Sequence, residues 1–509
     1  MAGASTYDVA IVGYGPVGAV AAALLGQAGL RVHVCDRLRG VYEIPRAISF
    51  DHEIMRVFQQ IGIVEAIAPH CEPFTPSEYF GVDGQLIRRM TMLEPPYPQG
   101  YTPSMVFTQP ALERVLRARV AELPNVSVVE GTEMHLLRQD GEGVELSLEG
   151  EHGAQTIRAR WVIGCDGAAS TVREQIGTAL EDLDFDEPWL VVDVRVNQRG
   201  LAKLPKTSVQ YCEPERPCTL VIGPGNHRRW EISLKAGEDP NQAATPEGAW
   251  RLLSRWLTPQ DGALWRQASY RFHALVAAQW RVGRVFVAGD AAHMQPPFLG
   301  QGMCQGVRDV SNLAWKLAAV LKNEVAGAAA QALLDSYGDE RKAHVRELTT
   351  RLRAIGAVIC ERDPAKARAR DAKLLADCGG VVKDTPRQDM MPCLTTGLLS
   401  ARDTSGRGTL FPQPRLQGGV LMDERCGRGW RLVVDDPLQV RVATGALGGI
   451  DLAVIDLAVT PETEGVVGAW MRRHAAHAAL LRPDHYVFGT AATAPELDAL
   501  IAEYQGVLT

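Results

Sequence analysis

Two glycine-rich turns and three acidic residues in this chain have the types and spacing to bind a dinucleotide. In Asp8-Val9-Ala10-Ile11-Val12-Gly13-Tyr14-Gly15-Pro16-Val17-Gly18 an apolar run ends in Gly-x-Gly-x-x-Gly and passes straight into the helix-forming segment Ala19 to Gln27. The glycines permit a tight turn, close approach of backbone to a pyrophosphate, and close packing of helix on strand, while the helix N-terminus faces the anion. A second apolar run, Leu30 to Cys35, ends at Asp36. That carboxylate falls where a ribose hydroxyl is expected, about 20 residues beyond the glycines. The alternative is an ordinary glycine-rich strand-turn-helix. Strand, helix and acid together favour the cofactor turn.

Two later stretches extend the pattern. Gly164-Cys165-Asp166-Gly167 follows an apolar segment, and Gly289-Asp290-Ala291-Ala292-His293 runs on into Pro296-Pro297-Phe298-Leu299-Gly300-Gln301-Gly302-Met303. Asp290 at a strand end could accept from a sugar hydroxyl. Gly300 and Gly302 allow backbone N–H groups near a helix start to face electron-rich atoms of a bound ring. Asp290 as a plain helix N-cap is the simpler alternative.

The elements between these stretches suggest a cofactor domain whose chain leaves and returns. Asp51 to Ile61 and Ala111 to Glu122 read as helices, the latter with Leu112, Val115, Leu116 and Val120 on one face. Residues 69–104 are rich in proline and turn formers, an excursion from the cofactor domain. Val126 to Glu130, Gly143 to Leu148 and Thr156 to Val162 read as strands, the last leading to Asp166. From 184 to 281 the pieces Leu190 to Val196, Ser208 to Tyr211 and Trp230 to Leu234 suggest a separate substrate-covering sheet. Val282 to Ala288 then returns as a buried strand, Gly306 to Leu321 follows as a helix, and residues beyond about 396 form a small additional α/β unit.

At 509 residues, 46% of them hydrophobic, the chain can bury more than one core. A net charge of -7 gives no basic footprint for nucleic acid. The ten cysteines include no Cys-x-x-Cys pair and no metal-ligand spacing, which excludes a metal centre of that kind and suits a reducing, cytoplasmic setting. No signal segment precedes the first strand, and no apolar run is long enough for stable membrane insertion. Gly223-Pro224-Gly225-Asn226 lacks the third glycine and the strand-helix context of a second dinucleotide turn.

Taken together, Gly13-x-Gly15-x-x-Gly18, Asp36-Arg37, Pro45-Arg46-Ala47, Gln109, Cys165-Asp166-Gly167-Ala168-x-Ser170-x-Val172-Arg173 and Gly289-Asp290-Ala291-Ala292-His293 resemble the single-component FAD-dependent aromatic hydroxylases, the para-hydroxybenzoate hydroxylase-like group. The resemblance covers about residues 7–350. Within the group, Pro45 to Asp51 and Pro296 to Met303 look most like 3-(3-hydroxyphenyl)propionate hydroxylases.

The resemblance implies an α/β fold in which a Rossmann-type FAD-binding domain (1–183, then 282–395 with its helices) is interrupted by a β-sheet substrate domain (184–281). A thioredoxin-like C-terminal domain (396–509), which Arg482-Pro483-Asp484 fits, would follow. It implies FAD as cofactor, with Gly13, Gly15 and Gly18 at the pyrophosphate, Asp36 at the adenosine ribose and Arg37 at the adenine side. Arg46 and Gln109 would lie near the flavin and its linker. Asp166 would serve both FAD and the nicotinamide donor, Asp290 the ribityl or pyrophosphate part, and Pro297, Gly300, Gln301, Gly302 and Met303 the flavin ring. NADH or NADPH would act as transient electron donor, O2 as co-substrate through a flavin C4a-hydroperoxide, and a phenol as acceptor of oxygen. A homodimer is compatible with the group. The phenol-activating residue is not identified by these motifs.

Arg195, Tyr211, His227 and Arg229 are candidates for substrate contact, an arginine suiting a carboxylate. Trp230, Trp250, Trp256 and Trp265 read as core rather than pocket. Cys304 stands where many members have Asn and reads as a small buried thiol. A flavin-dependent halogenase is disfavoured by the absence of a Trp-x-Trp-x-Ile-Pro segment, and a non-catalytic scaffold by the intact glycines, Asp166 and Asp290.

Overall fold

The computed structural model describes residues 6–151, 153–427, 429–435 and 452–508. Thr6–Val12 is the central strand of the first sheet, its run Val9-Ala10-Ile11-Val12 buried on both faces, as a parallel strand requires. Val32–Asp36 and Gly153–Gly164 flank it in parallel. Val126–Glu130 lies beyond the first and Val285–Val287 beyond the second, also parallel. The expected return of the chain is therefore seen at its pairing: strands 153–164 and 285–287 are neighbours although more than a hundred residues separate them in sequence.

The alanine-rich helix Pro16–Gln27 is buried along nearly its whole length. Its small side chains let it sit tightly between this sheet, the helix Gln109–Ala121 and the helix Gly302–Leu321. Gly26 illustrates the tolerance, since an added Cβ would lie 2.5 Å from a Val126 methyl.

The second sheet has nine strands, in the order His293–Met294, Gly262–Ala277, Leu180–Val196, His227–Ser233, Cys218–Ile222, Ser208–Tyr211, Ser77–Phe80, Leu86–Thr91 and Asp384–Pro386. Leu190, Val192, Val194, Leu220, Trp230 and Ile232 form its core. The excursion at 69–104 thus supplies two strands to this sheet. The expected division at 184 falls inside the strand Leu180–Val196, at a bulge where Asp184 takes φ 56°. Gly223 to Asn226 make the hairpin turn between Cys218–Ile222 and His227–Ser233, not a dinucleotide turn.

A 33-residue helix, Gly327–Ile359, leads towards the C-terminal part. There, strands run in the order Ala453–Asp456, Arg431–Val434, Ala478–Leu481, Val487–Ala491, the first pair parallel and the others antiparallel. Helices Val466–Arg473 and Ala494–Leu508 accompany them. Buried ion pairs tie this part to the rest: Arg482 bonds to Glu340, and Arg56 to Asp423. No helix among the described residues is long and apolar enough to cross a membrane.

Candidate functional site

The three motif stretches meet at one turn. Gly13 takes φ +103°, and a Cβ on it would lie 2.3 Å from the Cys165 carbonyl oxygen. A Cβ on Gly18 would lie 2.0 Å from the Gly13 oxygen, so these two positions admit no side chain. Val17 packs on Gly289 and Gly306, closing the turn against the third stretch. Gly15 differs: among the described residues, nothing beyond its own chain neighbours lies within 4 Å of where its Cβ would be. It begins the helix Pro16–Gln27 with no side-chain cap and no acid in the first turn, leaving the amide end open to an anion.

Asp36, at the end of its strand, accepts hydrogen bonds from Tyr14 N (2.6 Å) and Leu38 N (2.7 Å). These orient its carboxylate beside the glycine turn. Arg37 is exposed next to it.

Asp166 serves its own loop. Its Oδ1 accepts from the Ser170 hydroxyl and its Oδ2 from Val172 N (3.0 Å), so it organises the start of the helix Thr171–Gln175. Burial pushes its carboxyl up, against these hydrogen bonds. Arg173 then staples two motifs together, donating to Ala168 O and Ala291 O. Asp290 is exposed on the 3-10 turn Gly289–Ala291. That turn is shaped by a residue the motifs did not reveal, Asp309, which accepts from Gly289 N (3.0 Å) and Arg341 Nε (2.9 Å) and lies 2.8 Å from His293 Nε2.

The loop Pro45-Arg46-Ala47 is clamped from two sides. Gln109 Oε1 accepts from Arg46 N (3.1 Å) and Ala47 N (2.6 Å), and its Nε2 donates to Glu113. From the second sheet, Arg229 donates to Arg46 O (2.6 Å) and Pro45 O (3.3 Å), and Arg266 donates to Pro45 O. Buried Asp193 holds Arg229 bidentately (2.7 and 3.1 Å) and lies 2.7 Å from His227 Nε2. Burial pushes Asp193 up, but the Arg229 charge and the His227 hydrogen bond outweigh it and hold the carboxyl below its usual range. The clamped backbone leaves the Arg46 guanidinium exposed.

This arrangement places His227 and Arg229, each 3% exposed, inside the support of the Arg46 loop. Arg195 and Tyr211 lie apart from it. Arg195 is exposed over the Trp265 ring (4.1 Å to its centroid), and Tyr211 accepts from Trp256 Nε1 beneath Arg255. The structure therefore does not gather the four into one pocket.

At the third stretch, Gly300 takes φ +62° and a Cβ there would lie 2.4 Å from Ser49 Oγ. Half-buried Pro297 accepts from Gly300 N, and Gly302 starts the helix Gly302–Leu321, again with no side-chain cap. Met303 packs partly buried against the first core. Gln301 is fixed by its side chain: its Nε2 donates to Asp51 and its Oε1 accepts from Arg308. Arg308 also bonds to Asp51 (2.7 Å) and Glu53 (2.6 Å), and Glu53 accepts from the Tyr486 hydroxyl (2.9 Å) of the C-terminal part. Cys304 is fully buried, and burial pushes its thiol up.

An open glycine, two uncapped helix starts, an oriented Asp36 and an exposed Arg46 are a donor and acceptor set that fits a long, pyrophosphate-bearing dinucleotide such as FAD. Known proteins agree. A family model described as FAD binding domain matches residues 6–352. A probable NADH-specific resorcinol 4-hydroxylase of Rhodococcus jostii (strain RHA1) is 37% identical over 520 residues, covering 99% of this chain and 95% of that protein. A 3-(3-hydroxy-phenyl)propionate/3-hydroxycinnamic acid hydroxylase of Mycobacterium sp. (strain JLS) is 32% identical over 531 residues, covering 97% and 91%. The solved ternary complex of aklavinone-11 hydroxylase with FAD and aklavinone shares the fold, with a TM-score of 0.80 at 24% identity over 99% of this chain and 98% of that one.

Proposed function

The chain belongs to the FAD binding domain family, and from that premise we infer an aromatic-ring monooxygenase that uses FAD, NADH and O2 to hydroxylate a phenol. The observation that carries this is the meeting of three distant motif stretches at the Gly13–Gly18 turn, where only Gly15 faces open space. The relatives' names support a small phenol, of the resorcinol or 3-hydroxyphenylpropionate kind, as acceptor of oxygen.

In this account Gly13 and Gly18 shape the turn, and Gly15 with the open amides of the helix Pro16–Gln27 binds the pyrophosphate. Asp36 accepts from the ribose and Arg37 covers the adenine side. Arg46, Asp290 and the segment Pro297, Gly300, Gln301, Gly302 and Met303 surround the rest of the cofactor. Bound FAD would supply both the acceptance of hydride and the activation of oxygen. The chain's own work is to orient and to exclude water. Gln109, Arg229 and Arg266 hold the Arg46 loop rigid. Asp166 and Arg173 keep the second stretch against the third. Asp51 and Arg308 fix the side chain of Gln301, so that the adjoining backbone N–H groups keep one direction.

We read residues 396–509 as thioredoxin-like, which the strand order of its four-stranded sheet and the helices that flank it support. Without a Cys-x-x-Cys pair such a unit has no dithiol to exchange. Its tie to Glu53 instead braces the Gln301 network.

The test is a screen of resorcinol and phenolic acids with purified protein, following NADH oxidation and product mass. A phenol that stimulates oxidation and gains one oxygen atom is the expected result. Protein that takes up no FAD, or that oxidises NADH without altering any phenol, would overturn the assignment.

A further inference from the structure

The strand His227–Ser233 presents different residues to its two sides. Trp230 and Ile232 belong to the apolar core of the second sheet, so Arg229 and Glu231 lie on the opposite face. That face is turned to the cofactor domain. Arg229 bonds there to the Pro45 and Arg46 carbonyls, and Val221, its partner across the sheet, packs with Ile48, Phe74 and Val106. Further along the strand, Ser233 pairs with Trp189, whose ring lies 6.1 Å from that of Phe298 in the third motif stretch. Glu231 stands between these two contacts, opposite Val191 on one side and Thr219 on the other. It is thus flanked by the Arg46 loop and by the Phe298–Leu299 segment.

Among the described residues Glu231 is also the buried carboxylate left without a partner. It is 7% exposed and forms neither a hydrogen bond nor an ion pair with them. Every other carboxylate buried among them accepts at least one hydrogen bond. The donors around Glu231 are engaged elsewhere. Arg229 holds Asp193 and the Arg46 loop, Arg266 donates to Pro45 O and to the Tyr270 hydroxyl, and the Thr219 hydroxyl donates to Gln210 Oε1 (2.6 Å). A buried carboxylate without a donor is costly, and such a group beside a cofactor site points to a part in the chemistry.

Burial pushes the Glu231 carboxyl up to about 7, with Arg229 opposing the shift, Asp193 reinforcing it and Arg266 opposing it. It is therefore partly ionised around neutral pH. Towards a phenol, whose unperturbed pKa is about 10, it is a stronger base than an ordinary carboxylate.

Resting on the hydroxylase assignment above, we propose that Glu231 is the catalytic base that activates the phenol, receiving the proton of the ring hydroxyl between the Arg46 loop and the Phe298–Leu299 segment. The O–H bond breaks, its electron pair stays on the phenol oxygen, and the proton passes to a Glu231 oxygen. Negative charge moves from carboxylate to ring, which makes the carbons ortho and para to that oxygen more nucleophilic. After oxygen transfer the proton returns to the phenol oxygen and the carboxylate is restored.

The test compares FAD-loaded wild type and Glu231→Gln with resorcinol. In wild type, kcat is expected to rise with pH through about 7 and then level off, because the carboxylate form is the active one. Glu231→Gln keeps the shape but cannot take the proton, so kcat at neutral pH should fall roughly 100- to 10000-fold with FAD content unchanged. Its remaining rate should lack the rise through 7 and climb only towards the pKa of the phenol. A fluororesorcinol assayed above its own pKa arrives already ionised, and its kcat in Glu231→Gln should be close to that of wild type. A merely structural role would give no such rescue. A kcat for resorcinol close to wild type in Glu231→Gln, or a loss that the ionised phenol does not restore, would overturn the proposal while the hydroxylase assignment stood. If wild type hydroxylated no phenol, that assignment would fall, and absorbance titration of protein-bound 4-nitrophenol would decide the role of Glu231. An ionisation of the bound phenol that differs by about 1 pH unit or more between wild type and Glu231→Gln supports a hydroxyl at this carboxylate. Equal ionisation, or no binding, overturns it.

Discussion

Gly15→Ala separates folding from cofactor binding. Gly15 has φ -71° and ψ -175°, a conformation alanine adopts freely, and among the described residues no atom beyond its chain neighbours lies within 4 Å of the new methyl group. The ligand-free protein should therefore fold as before, gaining up to about 0.4–1 kcal/mol because alanine restricts the unfolded chain. The methyl group would instead occupy the space through which a pyrophosphate reaches the backbone. Loss of one hydrogen bond to a charged group costs about 1.5–3 kcal/mol, so FAD affinity should fall about 10- to 150-fold. Thermal unfolding of the apoprotein and a fluorescence titration with FAD measure the two effects separately. Gly13→Ala is the contrast: φ +103° and a contact of 2.3 Å with the Cys165 oxygen put the damage into the fold itself. FAD binding by Gly15→Ala as tight as wild type, or collapse of its apoprotein, would refute the assignment of the turn.

Three further outcomes follow from buried groups. Asp193→Asn should lower stability by about 3–5 kcal/mol, read from the urea midpoint, because Arg229 is left buried without its counter-ion; FAD affinity should fall with it as the Arg46 loop loosens. Burial pushes Glu231 up from 4.5 to about 7. Its folded form holds the proton more tightly than the unfolded chain, so stability is lost as pH rises from about 4.5 through 7, and Glu231→Gln should be more stable than wild type at pH 8 by roughly 3 kcal/mol. Equal Tm differences at pH 5 and pH 8 would refute that sign. Tyr486→Phe removes the hydrogen bond to Glu53 and should cost about 1.5–3 kcal/mol in chemical denaturation.

The cofactor turn was legible because its physics is local. Gly13, Gly15 and Gly18 stand within six residues, and the strand and helix they join show their own apolar patterns. The nature of each glycine was not legible: spacing alone does not tell that Gly13 and Gly18 are packed against backbone while Gly15 is open. Asp166 stands in the second motif stretch, yet what it bonds to, Ser170 and Val172 of its own loop, depends on how that loop closes. His227 and Arg229 read from the sequence as candidates for substrate contact, whereas in the structure they support the Arg46 loop. Their partner Asp193 comes from another strand, paired across the sheet, and no periodicity announces such a pairing. The strand Leu86–Thr91 was hidden by Arg88 and Arg89 within a proline-rich excursion, and Gly262–Ala277 by the polar residues Arg266, Gln267, Ser269 and Arg271 in its middle. Asp309 left a fainter signal, a lone acid on the buried side of an apolar helix, three residues beyond Gly306.

The central claim is that this chain transfers one atom of molecular oxygen to a phenolic ring. Turnover of resorcinol or a hydroxyphenyl acid under isotopically labelled O2, with NADH and the FAD-loaded protein, tests it directly by product mass. One labelled oxygen atom per product, formed with one NADH consumed, is the predicted result. Oxygen drawn from water, or NADH consumed with every phenol unchanged and only peroxide formed, would contradict it.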